Sequence, residues 1–297
     1  AKERAIAQGI FNAGASIGAV ISAPLIALLY IRVGWRITFL CIGILGLLWL
    51  IPWLIFNKKK PGQHPWLSPQ EKEFILEQPA SAAAENNLQP VYSWKELLKF
   101  KATWAVILSR FFLDPIWWLF VNWLPIYLSE KFLFDIKSIG AFAWVPYVGA
   151  ALGSLLGGIF SSKLIRQKQR AVKARIIALT IGCIIMLPAL LLTAVANKPF
   201  YAIGLISVIL FGFQFAIGNI QTLPSDFYNG KNVGTVTGMS GTAAVLGVLI
   251  TTWLVPVITK HSYSWFFLLG AILVPLAYLS VIIFSRRKSE IKNFTTA

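Results

Sequence analysis

The chain contains 297 residues, of which 57% are apolar and 13% are charged, and its mean hydropathy is +0.70. Soluble domains carry about 25% charged residues, so this composition argues against a soluble enzyme and against a disordered protein. The two cysteines, Cys41 and Cys183, both lie inside apolar stretches, which excludes a disulfide scaffold and indicates small buried side chains.

Eight apolar stretches are each long enough to cross a bilayer as a helix, which needs about 20 residues. None of them alternates polar and apolar residues as the strands of a membrane barrel do. The sequence therefore predicts an all-α polytopic membrane protein with eight transmembrane helices. The predicted spans are Ile6–Tyr30, Ile37–Phe56, Thr103–Leu128, Ile139–Ser161, Ala174–Ala196, Phe200–Thr222, Val233–Ile258 and Ser264–Phe284.

The distribution of basic residues predicts how these spans are oriented. The net charge is +16, from 27 Lys and Arg against 11 Asp and Glu. When the loops are assigned to alternate sides of the membrane, 20 basic residues fall on the side that holds both chain ends and 6 on the other. Basic loops stay in the cytoplasm, so both ends are predicted to be cytoplasmic. The positive charge then faces anionic lipid in the bilayer rather than nucleic acid.

The one long polar stretch, residues 57–101, is predicted to be a cytoplasmic connector between two membrane segments. Within it, Ser68 is typical of a helix N-cap and Glu71 of the third position of a capping box, which predicts a short helix over Pro69–Gln78. Residues 79–90 are typical of a flexible linker. The predicted domains are residues 1–56, the connector 57–101, a six-helix membrane segment 102–285 and a cytoplasmic tail 286–297.

The first two spans resemble the last two, which indicates an internal repeat. Gly9 and Gly18 lie opposite Gly238 and Gly247, each 229 residues later. Duplicated halves are common in transporters. Because six spans follow the connector and their last two match the first two of the chain, the repeat predicts a twelve-helix protein with a six-plus-six arrangement. Four helices are then expected before the first residue.

Several motifs are typical of one transporter family. They are residues 9–14 (GIFNAG), 109–118 (SRFFLDPIWW), 123–128 (WLPIYL) and 223–227 (LPSDF). Together they resemble the major facilitator superfamily and, within it, the hexuronate branch of the anion:cation symporter family. The resemblance extends over essentially the whole chain.

The resemblance implies a facilitator fold in the bacterial inner membrane and a monomeric protein. It also implies that a small anionic sugar acid, such as glucuronate or galacturonate, is imported together with protons by alternating access. In that family the best-supported substrate arginine and coupling acid lie in the first and fourth helices. Both are expected among the four preceding helices, so neither can be assigned to a residue of this chain.

Two ionisable residues of the third span are the strongest site candidates. Asp114 lies about 16 Å along the helix from Thr103, close to the middle of a bilayer, and Arg110 lies one turn before it on the same face. Charged groups at this depth are costly, which favours a role in substrate binding, gating or coupling. The alternative is a purely structural pair in which each charge neutralises the other.

Other polar and aromatic residues within the spans are further candidates. Indole rings stack on sugars and amides bind hydroxyl groups, and such amides need partners when they are buried in a membrane. Only one of the two adjacent tryptophans is expected to line a cavity, and the sequence leaves open which one. The amides and the serine could equally bridge helices. These candidates are Trp117, Trp118 and Asn122 in the third span, Gln214 and Asn219 in the sixth, and Asn12 and Ser16 in the first.

The sequence predicts no catalytic residue, no metal ligand and no cofactor, and therefore no enzyme. His64 and His261 lie in separate loops, and the chain contains no CxxC, HExxH or P-loop motif. Two alternatives to hexuronate import stay open. One is transport of another organic anion, such as an aldonate, an aldarate or a phthalate-like acid. The other is a non-transporting membrane sensor or scramblase with the same scaffold.

Overall fold

The computed structural model describes residues 4–57, 64–73, 90–260 and 262–285, and all regular structure in these ranges is helical. This confirms the predicted all-α class. In chain order the helices are α1 (Arg4–Leu48), α2 (Leu50–Phe56), α3 (residues 69–73), α4 (Trp94–Leu97), α5 (Lys101–Phe132), α6 (Ile136–Phe142), α7 (Val145–Arg166), α8 (Ala171–Ala194), α9 (Pro199–Phe227), α10 (Lys231–Thr259) and α11 (Ser264–Ser285).

Within the described residues, seven helical stretches are long and apolar enough to cross a membrane. The first, Ala5–Phe56, has 52 residues and would extend about 78 Å as a straight helix, more than twice the apolar thickness of a bilayer. Gly34 interrupts it with φ 76° and ψ 172°, a conformation that a side chain would disfavour. Two of the eight predicted spans lie on either side of this glycine. The predicted loop between them is reduced to a single non-helical residue.

The chain divides into two compact units. The larger comprises Ala1–Ala27 and Tyr92–Ala297, and the smaller comprises Leu28–Val91. In the larger unit α9 packs against α7 and α8, while α5 packs against α10 and α11, and α11 also contacts α8. The core of this unit consists of aliphatic and aromatic side chains from these helices.

Small residues bring the helices of the larger unit into backbone contact. Gly149, Gly153 and Gly157 form one face of α7, and a Cβ atom on any of them would overlap the main chain of α9. The first part of α1 approaches α7 equally closely, because a Cβ on Gly9 would lie 2.7 Å from the carbonyl oxygen of Ser154 in α7. The Ser154 hydroxyl donates a hydrogen bond of 2.6 Å to the Gly9 carbonyl. Small residues permit this kind of packing in membrane proteins.

The smaller unit contains the beginning of the predicted connector. The Glu71 amide donates to the Ser68 hydroxyl (3.2 Å), and the Ser68 amide donates to the Glu71 carboxylate (2.9 Å), so the predicted capping box is confirmed. These bonds hold the pKa of Glu71 below its ordinary value. The predicted end of this helix, most of the linker and the tail 286–297 lie outside the described residues.

Candidate functional site

A cavity of about 210 Å³ lies in the larger unit, between α1, α5 and α9. Its lining combines one cation, one carboxylate, three amides and three aromatic rings, with two small or aliphatic side chains. The lining residues are Asn12 and Ala15 from α1, Arg110, Asp114, Trp117 and Trp118 from α5, and Phe213, Gln214, Ile217 and Gln221 from α9.

An ion pair occupies the α5 wall of the cavity. Arg110 donates from Nη2 to Asp114 Oδ2 at 2.6 Å and from Nε to Oδ1 at 3.5 Å. Their side chains are 16% and 12% exposed. The two residues are four apart on one helix, so their side chains lie on one face. The pair is neutral as a whole, and each charge compensates the other in a poorly solvated place.

The two adjacent tryptophans both line the cavity, whereas the sequence predicted that only one would. Trp117 is held by its neighbours, since its ring stacks on Phe213 at 5.9 Å between ring centroids and meets Tyr147 edge-on at 5.7 Å. Trp118 is 45% exposed. Neighbouring side chains on a helix diverge by about 100°, so both can border one cavity when it curves around the helix.

One cluster of amides joins α1 to α9. Gln221 Oε1 accepts hydrogen bonds from Gln8 Nε2 at 2.8 Å and from Asn12 Nδ2 at 2.9 Å. Gln8 Nε2 also lies 3.4 Å from Asn12 Oδ1. The oxygen of Gln221 is therefore fully occupied by two donors.

A second group of polar residues lies one or two turns away. Gln214 Nε2 donates to Ser16 Oγ at 3.3 Å, and Ser16 Oγ donates to the Asn12 carbonyl at 3.2 Å. Gln214 is 5% exposed, and within the described chain its Oε1 atom has no hydrogen-bond partner. The cavity thus has a buried acceptor in its wall.

The polar cavity lies within a helical membrane protein, and similarity to known proteins identifies which kind. The family model of the Major Facilitator Superfamily matches residues 1–252. The chain belongs to the major facilitator superfamily. This confirms the family indicated by the motifs and the multi-pass character of the protein.

Several curated relatives of this facilitator chain are transporters of sugar acids by name. It is 32% identical over 247 residues to the hexuronate transporter of Escherichia coli (strain K12), which covers 83% of this chain and 56% of that protein. It is 33% identical over 188 residues to the galacturonate transporter of Dickeya chrysanthemi, covering 63% and 54%. A probable galactarate/D-glucarate transporter of Escherichia coli (strain K12) is 27% identical over 298 residues, covering 95% and 66%.

The chain spans about half the length of the first two of these relatives. Their names are those of transporters, which agrees with the prediction that this facilitator chain is not an enzyme. In the parts of the chain that the structure describes, no three His, Cys, Asp or Glu side chains are grouped as a metal site would require.

Three predicted site residues of this facilitator do not line the cavity. Asn219 bonds instead to the carbonyls of Gly157 (3.2 Å) and Phe215 (2.9 Å), Asn122 lies on an exposed surface, and Ser16 is fully buried behind Gln214. Asn219 follows Gln214 by five positions, which turns it about 140° beyond a full turn, away from the cavity. Asn122 follows Trp118 by four positions and so lies one helical turn further along α5 than the last cavity residue of that helix.

Sequence reasoning missed Gln221 as a lining residue and Gln8 as its partner. Gln221 follows Gln214 by seven residues, which is nearly two full turns, so helical spacing could have placed both on one face. Gln8 carried no comparable signal, because its role depends on which helix lies opposite.

A buried ion pair lies apart from the cavity, near the predicted cytoplasmic ends of α8 and α9. Arg175 Nε donates to Asp226 Oδ2 at 3.1 Å, and the two side chains are each 1% exposed. Arg175 Nη1 also donates to Ser161 Oγ at 2.9 Å and contacts Asn219 Oδ1 at 3.5 Å. Together with Ser161, the pair joins α7, α8 and α9. The hydrogen bond from Arg175 to Asn219 Oδ1 helps to hold this amide away from the cavity.

Proposed function

We propose that the protein is a secondary active transporter that imports a hexuronate, such as glucuronate or galacturonate, by proton symport with alternating access. The observation that carries this proposal is the combination of Arg110, Asp114, amides and indoles around one cavity. The similarity to curated hexuronate and galacturonate transporters supports it. The volume of about 210 Å³ suits a small solute, since drug-sized sites measure about 300–1,000 Å³.

The balance of charge in the cavity explains how proton uptake could be coupled to substrate binding. The Arg110–Asp114 pair is neutral, so a substrate carboxylate would bring an uncompensated negative charge into a poorly solvated cavity. If Asp114 takes up a proton, its bond to Arg110 weakens and the guanidinium can pair with the substrate carboxylate instead. The loaded site is then neutral again. One proton accompanies each monocarboxylate, and either of them alone leaves an unpaired charge.

The remaining lining suits the rest of a sugar acid. The ring of a hexuronate has hydroxyl groups at its edge and C–H groups on its faces. Trp117 and Trp118 offer ring faces on which a sugar can stack, and Gln214 and Gln221 offer amides for hydroxyl groups. Asn12 holds Gln221 in place while it also borders the cavity.

We further propose the organisation inferred from the sequence for the protein as a whole. Residues 1–56 belong to one membrane half and 102–285 form the six helices of the other. Residues 57–101 connect them on the cytoplasmic side, where the tail 286–297 also lies. The protein acts as a monomer in the bacterial inner membrane.

Transport of an aldarate is the second candidate, because a probable galactarate/D-glucarate transporter aligns over 95% of the chain. An aldarate has two carboxylates and would need two compensating charges. Among the described residues that line the cavity, Arg110 is the one cation. The charge of the cavity therefore favours a substrate with one carboxylate.

Uptake by the full-length protein in membrane vesicles with an imposed pH gradient tests the proposal. We expect saturable accumulation of labelled galacturonate that a protonophore abolishes, that unlabelled glucuronate inhibits and that galactarate inhibits weakly. The Arg110→Gln variant should lose uptake, and Lys163→Gln, which alters an exposed cation outside the cavity, should retain it. Absence of saturable uptake of any sugar acid by protein that is present in the membrane would refute the proposal.

A further inference from the structure

The orientation of one buried amide carries an inference about selectivity. Gln214 lines the cavity but is 5% exposed, and its Oε1 atom lacks a donor within the described chain. A buried acceptor without a partner costs free energy, so native proteins seldom retain one without a reason. Because Gln214 lines the cavity, a ligand that occupies the cavity can supply the missing donor.

Ser16 determines which end of the amide faces the cavity. A serine hydroxyl has one proton, and the Ser16 hydroxyl donates it to the Asn12 carbonyl at 3.2 Å. Ser16 Oγ can then only accept from Gln214, and it does so from Nε2 at 3.3 Å. If the amide turned over, Ser16 would have to give up its bond to the Asn12 carbonyl in order to donate to Gln214 Oε1. The observed orientation of the Gln214 amide is the one that keeps both hydrogen bonds.

Gln221 offers the cavity the other end of its amide, the NH₂ group rather than the oxygen. Its oxygen accepts from both Gln8 and Asn12, so its NH₂ group remains for the cavity, and no described residue accepts from that group. Gln214 and Gln221 are seven residues apart on α9, about 10 Å along the helix axis. The α9 wall therefore offers an acceptor at one level and a donor at another.

We propose that Ser16 is a positioning residue that holds Gln214 Oε1 as the acceptor for one hydroxyl group of the substrate. This inference rests on the proposed function and specifies which sugar acids the site would select. The acid must have a hydroxyl at the position that reaches Gln214. Carboxylic acids without that hydroxyl leave the oxygen unpaired and are discriminated against, although their carboxylate and size fit.

Binding of monodeoxy acids by the purified protein in lipid nanodiscs tests the inference. The ligands are galacturonate and the series of galacturonates that each lack one hydroxyl, and the readout is the ratio of their dissociation constants. For the unaltered protein, one deoxy acid should bind about tenfold more weakly than galacturonate, the usual contribution of one well-made hydrogen bond. In Gln214→Leu that ratio should fall to about one, because galacturonate loses its bond and the deoxy acid does not.

Ser16→Ala should also lower this ratio, because the amide of Gln214 is no longer fixed. The matched control is Ser280→Ala, which removes a buried serine hydroxyl that donates to the carbonyl of Ala277, on a helix that does not line the cavity. This control should keep the ratio of the unaltered protein. The selectivity ratio separates positioning from general stability, since a merely structural serine would weaken the binding of all the acids alike.

Two results would overturn the inference. The first is an unchanged ratio in Ser16→Ala, whether or not all the acids bind more weakly, because the serine would then not orient the amide. The second is that the unaltered protein binds galacturonate and every monodeoxy acid equally well. Ser16→Ala decides the question even if Gln214→Leu fails to reach the membrane. If the unaltered protein bound no sugar acid at all, the proposed function itself would fail, a result that differs from sugar-acid binding without the expected ratio.

Discussion

Replacing Asp114 with Asn should separate substrate binding from proton coupling. Asparagine imitates the protonated carboxyl group, so Arg110 is free to hold a substrate carboxylate without proton uptake. We expect Asp114→Asn to lose gradient-driven accumulation of galacturonate but to retain its exchange across the membrane when both sides contain the sugar acid. Vesicle uptake with a pH gradient measures the first property, and counterflow of labelled galacturonate measures the second.

The same substitution should destabilise the empty protein by a calculable amount. Removing one member of a buried ion pair costs about 3–5 kcal/mol, because the other charge stays uncompensated. The side chains of Arg110 and Asp114 retain 16% and 12% exposure, so the lower end, about 3 kcal/mol, is expected. A ligand at one hundred times its dissociation constant adds about 2.7 kcal/mol. Saturating galacturonate should therefore offset most of the loss in a thermal unfolding measurement.

The double variant Arg110→Gln with Asp114→Asn can refute the proposed role of the pair. It removes both charges, so its unfolding free energy should return close to that of the unaltered protein. Folded double variant with normal accumulation of galacturonate would show that the pair is structural, and accumulation by Asp114→Asn alone would refute the coupling. Asp135→Asn is the matched control, since Asp135 caps α6 outside the candidate spans and asparagine caps helices about as well.

Other expected outcomes concern topology, packing and pH. A cysteine at Ser81 should react only with reagents on the cytoplasmic side and one at Lys198 only with reagents outside, and reversed labelling would refute the predicted orientation. Gly153→Ala should lower the melting temperature or abolish membrane expression, because its Cβ would overlap the Phe211 carbonyl, and wild-type thermal stability would contradict this packing. The pKa of Glu71 is lowered, so its ionised carboxylate stabilises α3. This contribution is complete when the pH is above the ordinary pKa of 4.5, and it is lost as the pH falls through the lowered pKa. Hydrogen exchange at residues 69–73 should reveal that loss, and Glu71→Gln, which keeps the cap but does not titrate, should not share it.

The fold was largely predictable because its signals are local. Apolar length alone indicates helices that cross a membrane, and the sequence around Ser68 indicates a helix start. The region near Gly34 was less predictable. A short loop was expected there, but helical hydrogen bonding resumes at once on both sides of one glycine, and nothing in the polarity of the flanking residues distinguishes these two cases.

The candidate site was predictable to the extent that burial of polar groups is costly anywhere in a membrane. That argument selected Arg110, Asp114 and Gln214, which the structure places around one cavity. It could not separate Gln214 from Asn219, because both are amides in one span and the rotation of α9 about its axis depends on packing against other helices. Which face of a helix borders a cavity is a tertiary property.

The glycine face of α7 has a mechanical consequence. Side chains that interdigitate can change rotamer and let two helices slide, but α7 and α9 meet main chain to main chain at Gly149, Gly153 and Gly157, where no side chain is available to rearrange. Lateral sliding would drive the backbone of α7 into carbonyl oxygens of α9. We therefore expect the two helices to move as one rigid unit, so the hinges and sliding surfaces of the proposed alternating-access cycle would lie elsewhere in the molecule.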